Sequence, residues 1–142
     1  MANYNCVVRT NYFHVKDMGT FMDLMNRTVG SEDKVELWEE TDQDGNPIYA
    51  FGCYGGIAGL PNESDDEIDD DSYDRFTDEL QKCVSENDAV IIMESGHENL
   101  RYVTGSAFII TSNDTKYLDV ETLALEAIKK MVGTEFVTRM DY

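Results

Sequence analysis

An α+β fold, a mostly antiparallel sheet of about five to six strands with three helices packed on it, is predicted by three observations. Amphipathic helical stripes recur three times, near 17–30, 72–84 and 119–133. Between them lie runs rich in β-branched and aromatic residues, in one of which Val35, Leu37 and Glu39 alternate with Glu36, Trp38 and Glu40. The resulting order, β-α-β-β-α-β-β-α-β, places strands in consecutive pairs that favour antiparallel neighbours, with helices covering one side. At 142 residues with 42% hydrophobic content, the chain is read as a single domain, 1–142, with an acidic, exposed loop at 55–71.

The elements follow in order. Asn5 to Val15 (NCVVRTNYFHV) reads as a strand. Asp17 has the N-cap chemistry for a helix whose apolar face is Met18, Phe21, Met22, Met25 and Val29, with Gly30 as its stop. Lys34 to Glu40 and Pro47 to Tyr54 form a hairpin, because the connector TDQDGN supplies the Asp-Gly pair of a tight turn. Phe51 to Leu60 loses strand character as its glycines accumulate and leads into the acidic loop. The second helix spans Ser72 to Val84 on the stripe Tyr73, Phe76, Leu80 and Val84. The apolar run Ala89 to Met93 (AVIIM) suits a central buried strand, and Leu100 to Ser112 a long strand paired with it. Lys116 to Leu118 reads as a short edge strand. Asp119 caps a third helix, with Val120, Leu123, Ala124, Ala127 and Met131 facing inward and Gly133 at its end. Glu135 to Met140 reads as a final strand.

Charge is distributed unevenly. The net charge is −18, and residues 31–100 carry all of it, with 21 acidic and three basic side chains. Such a segment repels nucleic acid and anionic membrane and attracts basic surfaces. The chain is therefore expected neither to bind nucleic acid directly nor to engage a membrane. No apolar run reaches the ~20 residues of a membrane span. No signal peptide is read at the N-terminus. Cys6, Cys53 and Cys83 are odd in number and widely spaced, which suits reduced thiols in a cytoplasmic protein.

The densest acidic stretch is ESDDEIDDDSYD. Its carboxylates are Glu63, Asp65, Asp66, Glu67, Asp69, Asp70, Asp71 and Asp74. Asp69 to Asp71 precede the second helix, where the helix dipole favours negative charge, but that effect does not account for eight acids. Twelve extended residues span at most ~40 Å. Eight acids are then about 5 Å apart, close to the one charge per ~3.4 Å of a single DNA strand. Glu36, Glu39 and Glu40 on the hairpin extend the surface onto ordered backbone, and Glu32, Asp33, Asp42, Asp44, Asp78 and Glu79 add to it.

Other chemistry has little foothold. His14 and His97 are the side chains that titrate near neutrality, one in a strand and one in a turn, and no catalytic residue is assigned. Glu40, Asp42, Asp44 and Gly45 resemble the start of a calcium loop, but Phe51 falls where a bidentate Glu is required, so a hairpin turn explains them better. No metal ligand and no cofactor is assigned. Gly52, Gly55, Gly56 and Gly59 lack a phosphate-binding lysine and precede eight carboxylates, which rules against a phosphate loop.

In overall character the chain resembles the small acidic anti-defence proteins of phages and conjugative elements, the anti-restriction and anti-CRISPR type. Its segments NYNCVVRTNYFHVKD, GSEDKVELWEE and FGCYGGI are also similar to small proteins carried on mobile elements of gut Firmicutes. Those DNA-mimic proteins share charge and not a motif, so no residue role carries over from them. The resemblance implies a non-enzymatic inhibitor or docking protein. Its partner would be a basic protein, a nucleic-acid-binding enzyme or nuclease. Three other readings remain: an immunity-type inhibitor of a toxin nuclease anchored by aromatics such as Trp38 and Tyr54, an accessory protein whose acids serve solubility, and a small-molecule enzyme.

Overall fold

The computed structural model describes residues 4–135, 137 and 138. The first strand, Asn5–Thr10 (β1), alternates strictly, with Val8 and Thr10 buried and Asn5, Val7 and Arg9 exposed. It is flanked antiparallel by Pro47–Tyr54 (β4) and by Ala89–Glu98 (β6). Glu36–Thr41 (β3) pairs with β4, Arg101–Thr111 (β7) with β6, and Thr115–Asp119 (β8) with β7. The six-stranded order is β3-β4-β1-β6-β7-β8, and Val29–Gly30 (β2) and Ile57–Gly59 (β5) form a separate small pair.

Two helices cover one face. Met18–Arg27 (α1) starts at Asp17, whose carboxylate accepts from the Thr20 amide at 3.0 Å. Ser72–Cys83 (α2) buries Phe76 and Leu80 completely, and Val84 at its end is also inaccessible. Beneath them, Phe13 meets Phe21 and Phe51 edge-on at 5.6 and 6.2 Å, and Phe51 meets Phe76 at 5.8 Å. Each such aromatic pair contributes about 0.5–1.5 kcal/mol beyond the area it buries. Tyr49 joins this cluster with no accessible surface, and its hydroxyl finds no hydrogen-bond partner among the described residues.

The α+β architecture is the one expected, and several details differ. The first strand ends at Thr10, because Asn11 replaces backbone with side chain: its amide donates to Ala89 O and its carbonyl accepts from the Ile91 amide. Phe13 and Val15 then make single bridges to Tyr49 and Val84. α1 ends at Thr28, whose hydroxyl donates to Leu24 O. Gly30 is therefore not its stop, and Val29 leaves the helical face to join β2. Leu24, absent from the expected stripe, is buried, whereas Met18 is exposed.

The AVIIM run is central but buried on one side only. Val90 and Ile92 point into the core, while Ile91 and Met93 point outward, Met93 with 59% of its surface accessible. Continuous apolar sequence here reflects two apolar faces, of which the outward one is exposed at Ile91 and Met93.

The third helix, Val120–Val132 (α3), is capped by Asp119 through the Thr122 amide and ends at Gly133 as expected. Its packing is not as expected. No α3 residue is buried, and Val120, Leu123 and Met131 are exposed rather than inward. Gly105 lies opposite Ser95, on the same outward face as Met93. A Cβ there would meet Val120 Cγ2 at 3.0 Å, so α3 begins on the face opposite α1 and α2. β8 runs into α3 without a loop, and a chain without slack cannot carry the helix back over the core. Of the strand expected over Glu135 to Met140, Glu135, Val137 and Thr138 are described and none is in a strand; the other three residues lie outside the described residues.

Candidate partner-binding surface

The acidic loop is ordered by its own short side chains. The expected exposed segment 55–71 is exposed only in its later part. Ile57 and Leu60 are buried in and beside β5, and continuous exposure begins at Glu63. Asn62 opens the loop as an Asx turn, its carbonyl accepting from the Ser64 amide at 2.7 Å. The Asp66 amide donates to Asn62 O and the Asn62 amide to Glu67 O, both at 2.8 Å. Asp65 accepts from the Glu67 amide, and Asp66 takes a positive φ of 58°, which Asp tolerates better than most residues. The stretch is thus folded back on itself, and the extended 40 Å rail inferred from its length is not the conformation adopted.

Asp69 closes the loop. Its carboxylate accepts from Asn62 Nδ2 at 3.1 Å, Arg75 Nη2 at 2.6 Å and the Asp71 amide at 2.9 Å. Hydrogen bonds from Asn62 first and Arg75 next hold its pKa at about 2. Arg75 also donates to Leu60 O and Ser72 Oγ, so one guanidinium ties both ends of the loop to α2. The neck is tight at Gly59, where φ is 116° and a Cβ would collide with the Ser72 carbonyl. Asp69 is therefore a structural residue, and among the described residues it is the member of the eight paired with a cation. Glu63, Asp65, Asp66, Glu67, Asp70, Asp71 and Asp74 remain exposed.

The hairpin residues divide between two faces. Trp38 lies opposite Ala50, and Glu36 opposite Gly52, on the outward side with Arg9. Glu40, two residues on, shares that side, while Glu39 lies opposite Tyr49 toward the helices. Glu36, Trp38 and Glu40 thus point away from the face that carries the acidic loop. Trp38 is half-buried beneath the Arg9 guanidinium, 4.2 Å from its ring centroid, and it packs over Gly52. It is a cover for the small-residue stretch of β4. Tyr54, 64% accessible on the same face, is the freer aromatic.

Beside the acidic loop lies a cavity of about 340 Å³ between the first turn of α2 and the inward face of β6 and β7. Val8, Ile92 and Phe108 make its apolar side, and Tyr73, Asp74, Glu94 and Tyr117 its polar rim. Glu94 occupies an inward position in register with Val8 and Ser106, where Val90 and Ile92 precede it as core residues. One Glu94 oxygen accepts from Tyr4 Oη at 3.2 Å, and Tyr4 Oη shares a 2.6 Å bond with Thr104. Among the described residues no Lys or Arg pairs with Glu94. Burial pushes the Tyr73 phenol up to about 12, with the charges of Glu94, Tyr117 and Asp74 adding to the effect.

Neither imidazole is placed as a free base at a deep site. His14 Nε2 lies 2.6 Å from Asp42 Oδ2, and Nδ1 lies 2.8 Å from Asp88 Oδ2. The hydrogen bonds to Asp42 and then Asp88 raise its pKa. Asp42 also accepts from the Asp44 and Asn46 amides, so the calcium-like run is a hairpin turn clamped to the α2–β6 connection through His14. His97 is exposed on β6 opposite Asn5. Burial raises the pKa of all three thiols, Cys53 to about 11, which opposes thiolate formation. Among the described residues, no group of three or more His, Cys, Asp or Glu side chains is placed to hold a metal ion. Among them, too, no helix is long and apolar enough to cross a membrane.

Comparison with protein-family models, with curated proteins and with solved structures finds no match for this chain. The site is consequently read from its own residues. Sequence reasoning found the carboxylates of the loop but missed Asn62 and Arg75, which shape it, and Glu94, which faces the cavity. Two-residue alternation from Val90 would have placed Glu94 inward.

Proposed function

We propose that this protein is a non-enzymatic acidic inhibitor or docking protein that occupies the basic, nucleic-acid-binding surface of a partner, in the manner of a DNA mimic. The observation that carries this reading is the acidic loop. Besides Asp69, six exposed carboxylates lie on a segment whose backbone is held by Asx turns and by Arg75, and Asp74 adds a seventh from the first turn of α2. A preordered loop loses less conformational entropy on binding than a mobile one, so its charge is more effective. Long-range attraction then favours rapid encounter with a basic groove. The occupied nitrogens of His14 and the raised thiol pKa values support a non-enzymatic role.

The test neutralises charge without touching the fold. The combined variant Asp65→Asn, Asp66→Asn, Glu67→Gln and Asp70→Asn leaves Asp69 intact and removes four charges from the loop. It is expected to retain its melting temperature and to lose partner capture from host lysate at low salt. Capture equal to that of the parent would exclude the acidic loop as the contact.

A second reading has its own observation. Val7, Tyr54, Ile91 and Met93 share the outward sheet face and are exposed. This favours an immunity-type inhibitor anchored by an aromatic residue, with Tyr54 rather than Trp38 at the interface centre. Tyr54→Ala would then abolish binding, and the loop variant would not.

A further inference from the structure

The cavity beside the acidic loop borders the core through Val8, Ile57 and Ile92 but carries two carboxylates that the core does not. At about 340 Å³ it is at the small end of ligand sites, sized for one side chain or a small amine and not for a nucleotide. Its walls combine two unlike chemistries. Phe108, Tyr73 and Tyr117 present aromatic surface, with the Tyr73 and Phe108 ring centroids 6.3 Å apart. Glu94 and Asp74 bring carboxylates from two different elements, a central strand and the first turn of α2. Glu94 is the unusual member. It interrupts the inward apolar positions of the central strand, and it has no cationic partner among the described residues. A half-buried carboxylate in such a place is costly unless a cation or several donors satisfy it. Tyr4 supplies one donor and fixes one oxygen.

Aromatic faces flanking a carboxylate select a cation with a flat, weakly hydrated head and an apolar stem. That describes guanidinium better than ammonium, because guanidinium stacks on rings and donates in a fork to a carboxylate. The net charge of the surrounding segment excludes an anionic ligand.

We propose that this cavity receives an arginine side chain of the partner protein, with its guanidinium between Glu94 and Asp74 and its stem against Phe108 and Tyr73. The inference rests on the reading of the protein as a ligand of a basic partner. It adds a specific subsite to a charge-driven encounter. The acidic loop supplies attraction, and the cavity supplies an anchor near the surface that the loop presents.

The experiment titrates capped arginine, N-acetyl-arginine-amide, into the full chain and follows amide and aromatic chemical shifts. The control is the uncharged isostere N-acetyl-citrulline-amide. Expected are arginine-dependent shifts at Tyr73, Glu94, Ser106 and Tyr117, none with citrulline, and at least ten-fold weaker binding in Glu94→Gln. Tyr117→Ala, at an exposed edge position, provides a second variant with the same expectation. Equal response to arginine and citrulline would overturn the proposal, as would shifts confined to 62–71 or undiminished binding by both variants. Free arginine binding ten-fold tighter than the capped form would overturn the assignment to a protein side chain in favour of the amino acid itself. A partner captured through the loop while the cavity ignores capped arginine would remove the subsite and leave the charge-driven reading standing.

Discussion

Replacing Arg75 by alanine separates order from charge, because it makes the protein more negative while loosening the loop. Arg75 donates to Leu60 O at 3.2 Å and to Ser72 Oγ at 3.0 Å, both neutral acceptors. Net contributions of about 0.5–1.5 kcal/mol per bond give a loss of about 1–3 kcal/mol for the pair. The exposed contact with Asp69 is screened by salt and adds little to stability. For a chain of this length, the melting temperature is expected to fall by about 3–10 °C. The local effect is larger than the global one. The Asp66, Glu67 and Asp71 amides, which donate to Asn62 O, Asp65 and Asp69, are expected to lose hydrogen-exchange protection. If binding follows net charge alone, Arg75→Ala binds a basic partner more tightly than the parent. If binding needs the loop in its folded form, it binds more weakly. Unchanged exchange at these three amides would refute the role given to Arg75, and tighter binding would refute the value given to loop order.

Three further outcomes are expected. The raised His14 pKa gives a contribution to stability that is complete below pH 6.5 and is lost as pH rises through the folded value. His14→Gln should therefore flatten the fall in melting temperature between neutral and mildly alkaline pH, and a slope equal to the parent's would contradict the clamp. Tyr49→Phe removes a buried hydroxyl with no partner among the described residues, so chemical denaturation should show equal or greater stability, by up to about 1 kcal/mol; a loss of that size would mean the hydroxyl is bonded. Trp38→Ala uncovers Gly52 and Ala50 and should cost about 1–3 kcal/mol of stability while leaving partner affinity within two-fold, whereas an interface anchor would show the reverse.

Much of the fold was legible because local chemistry agreed with the final packing. Asp17 and Asp119 cap their helices as their positions suggest, and Asp42 to Asn46 close the hairpin with Gly45 at φ 81°. What misled was apolar periodicity without knowledge of which surfaces are covered. The stripe Val120, Leu123 and Met131 has the helical spacing of a core-facing surface, as that of α2 does, yet the core is filled by residues of α1, α2 and the sheet. Similarly, Ile91 and Met93 look like the core residues Val90 and Ile92 until the sheet order shows that they point to the outward face, where they are exposed.

At the candidate site, composition located the acids but could not sort them. Asp69 and Asp70 are neighbours of identical chemistry. Only the positions of Asn62 and Arg75, seven residues before and six after Asp69, make the first a structural ligand and leave the second exposed. The cavity was invisible for another reason. It is assembled from β1, β5, β6, β7, β8 and α2, whose proximity depends on sheet order rather than on any spacing along the chain.

The most direct test of the central claim is competition. Protein captured from host lysate on the immobilised chain is challenged with duplex DNA and, separately, with increasing salt. The expected result is a nucleic-acid-binding protein released by the duplex and by moderate salt, and not captured by the four-charge loop variant. A partner that stays bound in excess duplex, and that binds the neutralised variant equally well, would contradict occupation of a nucleic-acid-binding surface.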